Sequence, residues 1–390
     1  MKYNFDEKID RHGSSCIKFD FAKERGHSPN ELSFWVADMD FCTASEILDA
    51  LHERINHGIF GYTDPDTKYF ETVAKWIFEH HSYEINPEWI SVTPGVVFSI
   101  GVAIEAFTQK GESVLIQPPV YYPFSWTTKQ ANRKIVENPL IWKENRYEID
   151  FEDFEKKIES ENVRLFLLCN PHNPGGRSWT KDELSKMAEI CQKHGVLVFS
   201  DEIHEDFVWG NKKHVPFASI SKETEKICIT ATSPSKSFNI AGLQISNNII
   251  SDKNLKEKWQ RAMDMFGYSQ PNVLGLTACQ AAYTHGEVWL NEVRAYIEKN
   301  LQFASDFIQT NIPKAIAPVP EATYLLWIDF KKLGLSDKEL NRRITEGAGL
   351  WLDAGRIFGK SGKNFQRINV ATSRAYLTEG LERLAKEFQK

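Results

Sequence analysis

Lys236 stands in Thr232-Ser233-Pro234-Ser235-Lys236-Ser237-Phe238-Asn239, directly after the apolar run Ile227-Cys228-Ile229-Thr230. That run reads as a strand, so the lysine and its flanking hydroxyls fall at the C-terminal mouth, where open α/β sheets build their sites. Alone, the pattern is that of any solvated surface lysine. A lysine that forms a Schiff base needs restricted solvation and nearby donors for an anionic group. A second apolar run, Val196-Leu197-Val198-Phe199, leads into Ser200-Asp201-Glu202. It has the composition of a strand buried on both faces, which puts Asp201 at the strand end. A carboxylate there is costly unless it meets a cation or donors, helix capping being its everyday use. Its chemical use is as counter-ion to a protonated pyridine nitrogen, as pyridoxal phosphate (PLP) chemistry requires. A third strand, Leu165-Phe166-Leu167-Leu168, runs into Cys169-Asn170-Pro171-His172-Asn173-Pro174-Gly175-Gly176. Asn-Pro and Pro-Gly pairs mark turns anywhere, yet two Asn-Pro steps at a strand end also hold an amide over the sheet, suited to donate to a ligand oxygen.

With these three segments in order, each at a strand end, the chain resembles a known family. It is similar to fold-type I PLP-dependent enzymes of the class-I/II aminotransferase group, and specifically to the cystathionine β-lyase-like (carbon–sulfur lyase) branch. Further markers are Trp35-Val36-Ala37-Asp38-Met39-Asp40-Phe41, Gly61-Tyr62-Thr63, Pro94-Gly95-Val96-Val97, Ser200 to His204 and Arg367-Ile368-Asn369. The resemblance implies PLP bound covalently by Lys236, which also moves the substrate Cα proton. It implies Asp201 on the ring nitrogen, Asn173 on the phenolic oxygen and Tyr121 stacked on the ring. The N–H groups of Val96 and Val97 open a helix and suit a dianion; with the hydroxyls of Ser233 and Ser235 they are expected at the phosphate. Tyr62 matches a tyrosine that reaches the phosphate of the neighbouring subunit, implying a homodimer. An α-carboxylate favours a bidentate arginine; Arg367 matches the family's clamp, with Arg374 and, more weakly, Arg356 as local rivals. Two positions depart from the aminotransferase pattern. Gln244 replaces a phosphate-binding arginine eight residues after the lysine, and His204 replaces a tyrosine three residues after the aspartate. His204 is expected either to donate to the ring oxygen or simply to pack.

The elements that must position these residues are legible as alternation. Between residues 46 and 285, helical patterns alternate with apolar runs at 90–93, 113–117, 163–169, 196–200, 227–230 and 245–250. That alternation implies right-handed crossovers and a mostly parallel sheet. Thr180-Lys181-Asp182-Glu183 is a capping box opening an amphipathic helix. After Gly286 a long helix runs through Phe307, and 322–329 and 365–370 read as strands of a smaller unit. The expected fold is thus α/β: a large domain (46–285) with a seven-stranded, mostly parallel sheet between helices, and a small α+β domain to which the resemblance adds residues 1–45 beside 286–390.

With 42% hydrophobic and 26% charged residues and a net charge of 47 − 53 = −6, the chain has an ordinary soluble composition and no basic cluster for nucleic acid. No apolar run reaches membrane-spanning length, and the start lacks a signal-peptide core, so a cytoplasmic location is expected. The six cysteines (16, 42, 169, 191, 228, 279) show no CxxC pairing and read as buried reduced thiols; no metal site is expected. The expected activity is carbon–sulfur β-elimination on L-cystathionine, L-cysteine or related amino acids. Amino transfer by the same first steps, or a regulatory binding role on the same scaffold, are the alternatives.

Overall fold

The computed structural model describes residues 2–389. One sheet carries seven strands: β1 (Ile90–Thr93), β2 (Ser113–Ile116), β3 (Lys134–Glu137), β4 (Val163–Cys169), β5 (Leu197–Asp201), β6 (Cys228–Thr232) and β7 (Ser246–Ile249). Their spatial order is β1-β7-β6-β5-β4-β2-β3. Strands β2 to β6 pair in parallel, and β7 is antiparallel to both of its neighbours. The reversal follows from the connection: residues 233–245 hold only short helical turns, including the lysine-bearing turn Pro234–Ser237, and no crossover helix.

Burial on both faces explains the unbroken apolar runs. Along β4, Leu165 and Leu167 face α2 (Val96–Phe107) and α4 (Lys253–Met265), whereas Phe166 and Leu168 face the core that includes α1 (Thr67–His81), α3 (Lys181–His194) and α5 (Val273–His285). The capping box at α3 is formed: the Glu183 N–H donates to Thr180 Oγ1 at 3.2 Å, and the Thr180 N–H to Glu183 Oε2 at 2.8 Å. Beyond the sheet, α6 (Glu287–Asn311) leads to an antiparallel three-stranded sheet, β8 (Leu325–Asp329), β9 (Asp353–Ala354) and β10 (Phe365–Asn369), ordered β8-β10-β9 and followed by α7 (Arg374–Phe388). Leu32–Ser33 pairs in parallel with Leu350–Trp351, tying the start of the chain to its end.

Three expectations need correction. The edge strand β3 and the hairpin Ile141–Lys143/Arg146–Glu148 are invisible as apolar runs because they are short and mostly solvent-facing. The long helix continues to Asn311, and the strand expected from residue 322 begins at Leu325. All six cysteines are free, but only four are buried: Cys42 is exposed and Cys16 half-buried. Among the described residues no helix is long and apolar enough to cross a membrane.

Candidate active site

Three strand ends and a helix start converge on one cavity of about 360 Å³, lined among others by Gly95, Val96, Val97, Tyr121, Asn173, Asp201, His204, Ser235 and Lys236. The approach of these residues follows from the parallel register. Asp201 pairs with Cys169 on one side and Ala231 on the other, so the ends of β4, β5 and β6 are level.

A buried polar cluster locks the loops that leave those ends. Glu202 accepts from Ser200 Oγ at 2.7 Å, from the Phe217 N–H at 2.9 Å, and contacts His214 Nε2 at 2.7 Å. Thr232 donates to Glu205 and Ser237, the residue after the lysine, donates to Asp206. His81 Nε2 lies 3.2 Å from Asp206 Oδ1, so α1 joins the same cluster. The neighbours of Asp201 and Lys236 are thereby tied to one another.

Within the cavity, burial leaves Asp201 only 4% exposed and pushes its carboxyl up to about 7, against the opposing hydrogen bond from the Ile203 N–H (3.2 Å) and the field of Lys236. Lys236 is pulled down to about 8, first by desolvation, with Asp38 and Asp201 opposing and the charge of Arg367 assisting. Its amine donates to the Ala37 carbonyl at 2.6 Å. His204 is held well below the ordinary histidine range, by burial and then by the charges of Lys236 and Arg367; its Nδ1 has no hydrogen-bond partner among the described residues. Burial likewise raises the Tyr121 phenol, and the Tyr121 N–H donates to the Asn173 carbonyl at 3.1 Å, fixing platform and amide to each other. Gly95 adopts φ +157°, a conformation side chains rarely take, and a Cβ there would point into open space. The N–H groups of Val96 and Val97 follow as the first of α2.

Among the three arginine candidates the geometry separates cleanly. Arg367 is buried, and its Nη1 donates to Asn173 Oδ1 at 2.9 Å. Nη2 reaches the Trp35 carbonyl (2.8 Å) and Asp353, while Nε has no partner among the described residues. Arg374 instead caps against Asn300 at 2.8 Å and lies 4.2 Å from the Phe303 ring centre, and Arg356 pairs with Asp337 at 3.6 Å. None of the three arginines lines the cavity itself, but Arg367 alone bonds to a side chain that does, Asn173.

One expected site residue lies elsewhere. Ser233 directs its hydroxyl to the Ile245 carbonyl (2.6 Å) and caps the lysine turn through the Ser235 N–H (3.1 Å), so it is absent from the cavity wall. Tyr62, expected at the phosphate of a neighbouring subunit, is 96% exposed on this one. Conversely, Gln244, read in the sequence only as a departure, lines the cavity. The segment Trp35–Phe41 is strapped by side chains: Asn239 donates to the Met39 and Phe41 carbonyls (3.0 and 2.8 Å), Asn369 to those of Val36 and Asp38, and Tyr324 to that of Ala37 (3.0 Å). Carbonyl acceptors carry no residue signature. The three distant motifs that bind them were legible; the purpose of their company was not.

A model of the family described as aminotransferase class I and II matches residues 30–384. The chain is 44% identical to cystathionine beta-lyase PatB of Bacillus subtilis (strain 168) over 98% of each chain, and 33% identical to protein MalY of Escherichia coli (strain K12) over 97% of each. Cystalysin from Treponema denticola, solved with pyridoxal 5'-phosphate, superposes with a TM-score of 0.96 at 37% identity, covering 100% of this chain and 99% of that one. A PLP-bound C-S lyase from Staphylococcus hominis gives 0.93 at 33% identity, over 100% and 99%. The chain therefore belongs to the PLP-dependent class I and II aminotransferase family.

Proposed function

We infer that this protein is a PLP-dependent carbon–sulfur β-lyase that cleaves L-cystathionine, L-cysteine or related S-substituted cysteines to pyruvate, ammonia and a thiol. The observation that carries the reading is the gathering of Lys236, Asp201, Asn173 and Tyr121 on one cavity, with Arg367 bonded to Asn173 at 2.9 Å. Relatives named as cystathionine β-lyase and C-S lyase, aligned over nearly their whole length, support the bond that is cleaved.

The residues present fit PLP. A buried acid raised to about 7, an unpartnered His204 Nδ1 and a glycine that opens a helix start onto the cavity are each costly without a ligand. Asp201 would hold the pyridine nitrogen, Asn173 the phenolic oxygen, and Val96, Val97 and Ser235 the phosphate; Gln244 offers a neutral amide where the aminotransferase pattern has a cation. Bound there, PLP supplies an aldehyde that condenses with amines and a ring that accepts the electron pair left at the substrate Cα.

The remaining chemistry belongs to side chains. Desolvation pulls the Lys236 amine down to about 8, so a far larger share of it is uncharged near neutral pH than of an ordinary lysine, and it is fit to attach the cofactor and, once released, to take the Cα proton. Arg367 binds the α-carboxylate through its unpartnered Nε. Tyr121 closes one wall and excludes water. Expulsion of the β-sulfur as thiolate then replaces the reprotonation that amino transfer would require. The test is pyruvate formation from L-cystathionine with no keto acid present; release of product only when a keto acid is supplied defeats the lyase assignment and favours the aminotransferase.

On this reading the large unit (46–285) carries the cofactor and the smaller one (1–45 with 286–390) the carboxylate clamp, a division supported by the Leu32–Leu350 pairing. The working unit is a homodimer. Its support is the exposed loop holding Ile59 (66%), Phe60 (56%) and Tyr62, an apolar surface unusual for a monomer. Tyr62→Phe should weaken cofactor retention about tenfold while leaving the dimer intact in sedimentation; unchanged retention removes Tyr62 from the partner's site. A cytoplasmic setting suits the six free thiols.

A further inference from the structure

Arg367 stands between two cavities. Towards the first it bonds Asn173; towards the second it bonds Asp353 and the Trp35 carbonyl. The second cavity, also about 360 Å³, is lined by Arg25, Trp35, Trp351 and Asp353 together with His27 and Ile357.

Its wall is a stack of planes. The Arg25 guanidinium lies 5.2 Å from the Trp35 ring centre, Trp35 stacks on Trp351 at 4.7 Å and 12°, and Trp351 on His27 at 4.0 Å and 12°. Among the described residues no carboxylate lies within ion-pair distance of Arg25, and the buried Trp35 Nε1 has no hydrogen-bond partner. Both donors are therefore available to a ligand. Tyr122 adjoins the first cavity through Tyr121, whose ring centre is 5.3 Å from its own. Its phenol is raised by burial first, with Asp353 adding to the rise and the charges of Arg367 and Arg25 opposing it.

A carboxylate at the inner end, a guanidinium and an indole N–H further out, and aromatic planes between them suit a zwitterion carried on an apolar stem. Asp353 has acceptor capacity beyond the guanidinium it already meets, and aromatic faces attract an ammonium. Arg25 suits a carboxylate. The sulfur and methylenes of a thioether suit the indole planes.

We propose that this second cavity is a distal subsite for the far amino-acid end of a substrate in which sulfur joins two amino acids. Asp353 receives the distal ammonium, and Arg25 with Trp35 Nε1 receives the distal carboxylate. The proposal rests on the lyase reading and narrows its substrate class to cystathionine-like molecules.

The experiment compares L-cystathionine with S-methyl-L-cysteine, which presents the same carbon–sulfur bond without a distal amino acid. Arg25 is exposed, so Arg25→Ala leaves the fold intact. It should raise KM for cystathionine about tenfold with kcat within about twofold, and leave S-methylcysteine within about twofold in both constants. Arg25→Lys should recover most of the loss, and Trp351→Ala should repeat the selectivity. The same ratio should appear in dissociation constants measured in a Lys236→Ala background, where turnover cannot contribute. Equal effects on the two substrates, or none on cystathionine, overturn the subsite while leaving the lyase reading in place. Inertness of the unsubstituted protein towards both substrates overturns the lyase reading, and the subsite with it.

Discussion

Lys236→Ala lowers kcat/KM for L-cystathionine by about 10^4-fold and abolishes the visible absorption of lysine-bound cofactor. The size follows from the two tasks assigned to one amine: covalent attachment and movement of the Cα proton. His204 does not take its place as base, since burial and the charges of Lys236 and Arg367 hold its pKa well below the ordinary histidine range and leave it a weak proton acceptor. Loss of fold would be a trivial cause of inactivity, and the physics points the other way. The Lys236 pKa is depressed in the folded protein, so this group contributes stability that is present above its ordinary value of 10.5 and lost as pH falls through about 8. At pH 7 the cofactor-free parent therefore carries a desolvated charge that alanine lacks. The variant should keep its circular dichroism and melt no lower than the cofactor-free parent. Retention of both turnover and the visible band removes Lys236 from the site.

How far the sequence foretold this site depends on what kind of group each residue contributes. Lys236, Asp201 and Asn173 were legible because each ends an apolar run, and the run itself declares a strand buried on two faces. Leu165, Leu167 and their neighbours must alternate between two cores, which leaves only the strand ends for polar chemistry. Ser233 was misplaced for a local reason: its hydroxyl caps the very turn that carries the lysine, a role as frequent as ligand binding and indistinguishable in sequence. Asp353 went unread because its meaning depends on pairing across the fold. It meets Arg367 through the β9–β10 register, and it shares a cavity with Trp35 because Leu32–Ser33 lies along Leu350–Trp351. The buried cluster of His81, Glu202, Glu205, Asp206 and His214 likewise joins residues up to 133 positions apart, from His81 to His214. Hydrophobic pattern reports faces; it does not report which polar side chains meet between them.

Asp201→Asn should act with opposite signs on the loaded and the cofactor-free protein. In the loaded enzyme a neutral amide cannot hold the ring nitrogen protonated, so the pull on the electron pair left at Cα weakens; kcat should fall by about 10^2- to 10^3-fold with KM little changed. In the cofactor-free protein the same change relieves strain. The Asp201 pKa is raised from 3.8 to about 7 by burial, so its contribution to stability is fully present below 3.8 and lost as pH rises through about 7. At about 1.4 kcal/mol per pH unit the loss is at most about 4 kcal/mol at pH 8. Asparagine has the same shape and no charge to bury. The cofactor-free variant should thus melt a few degrees above its parent at pH 8, and the gap should close as pH falls towards 4. Adding PLP should reverse the ranking at pH 8, because only the parent acquires a counter-ion for its buried carboxylate. Calorimetry on both forms at two pH values reads all four states. A variant less stable than its parent in both forms at pH 8 would mean that this carboxylate already has a cation in the cofactor-free fold, and that burial has not reserved it for the pyridine ring.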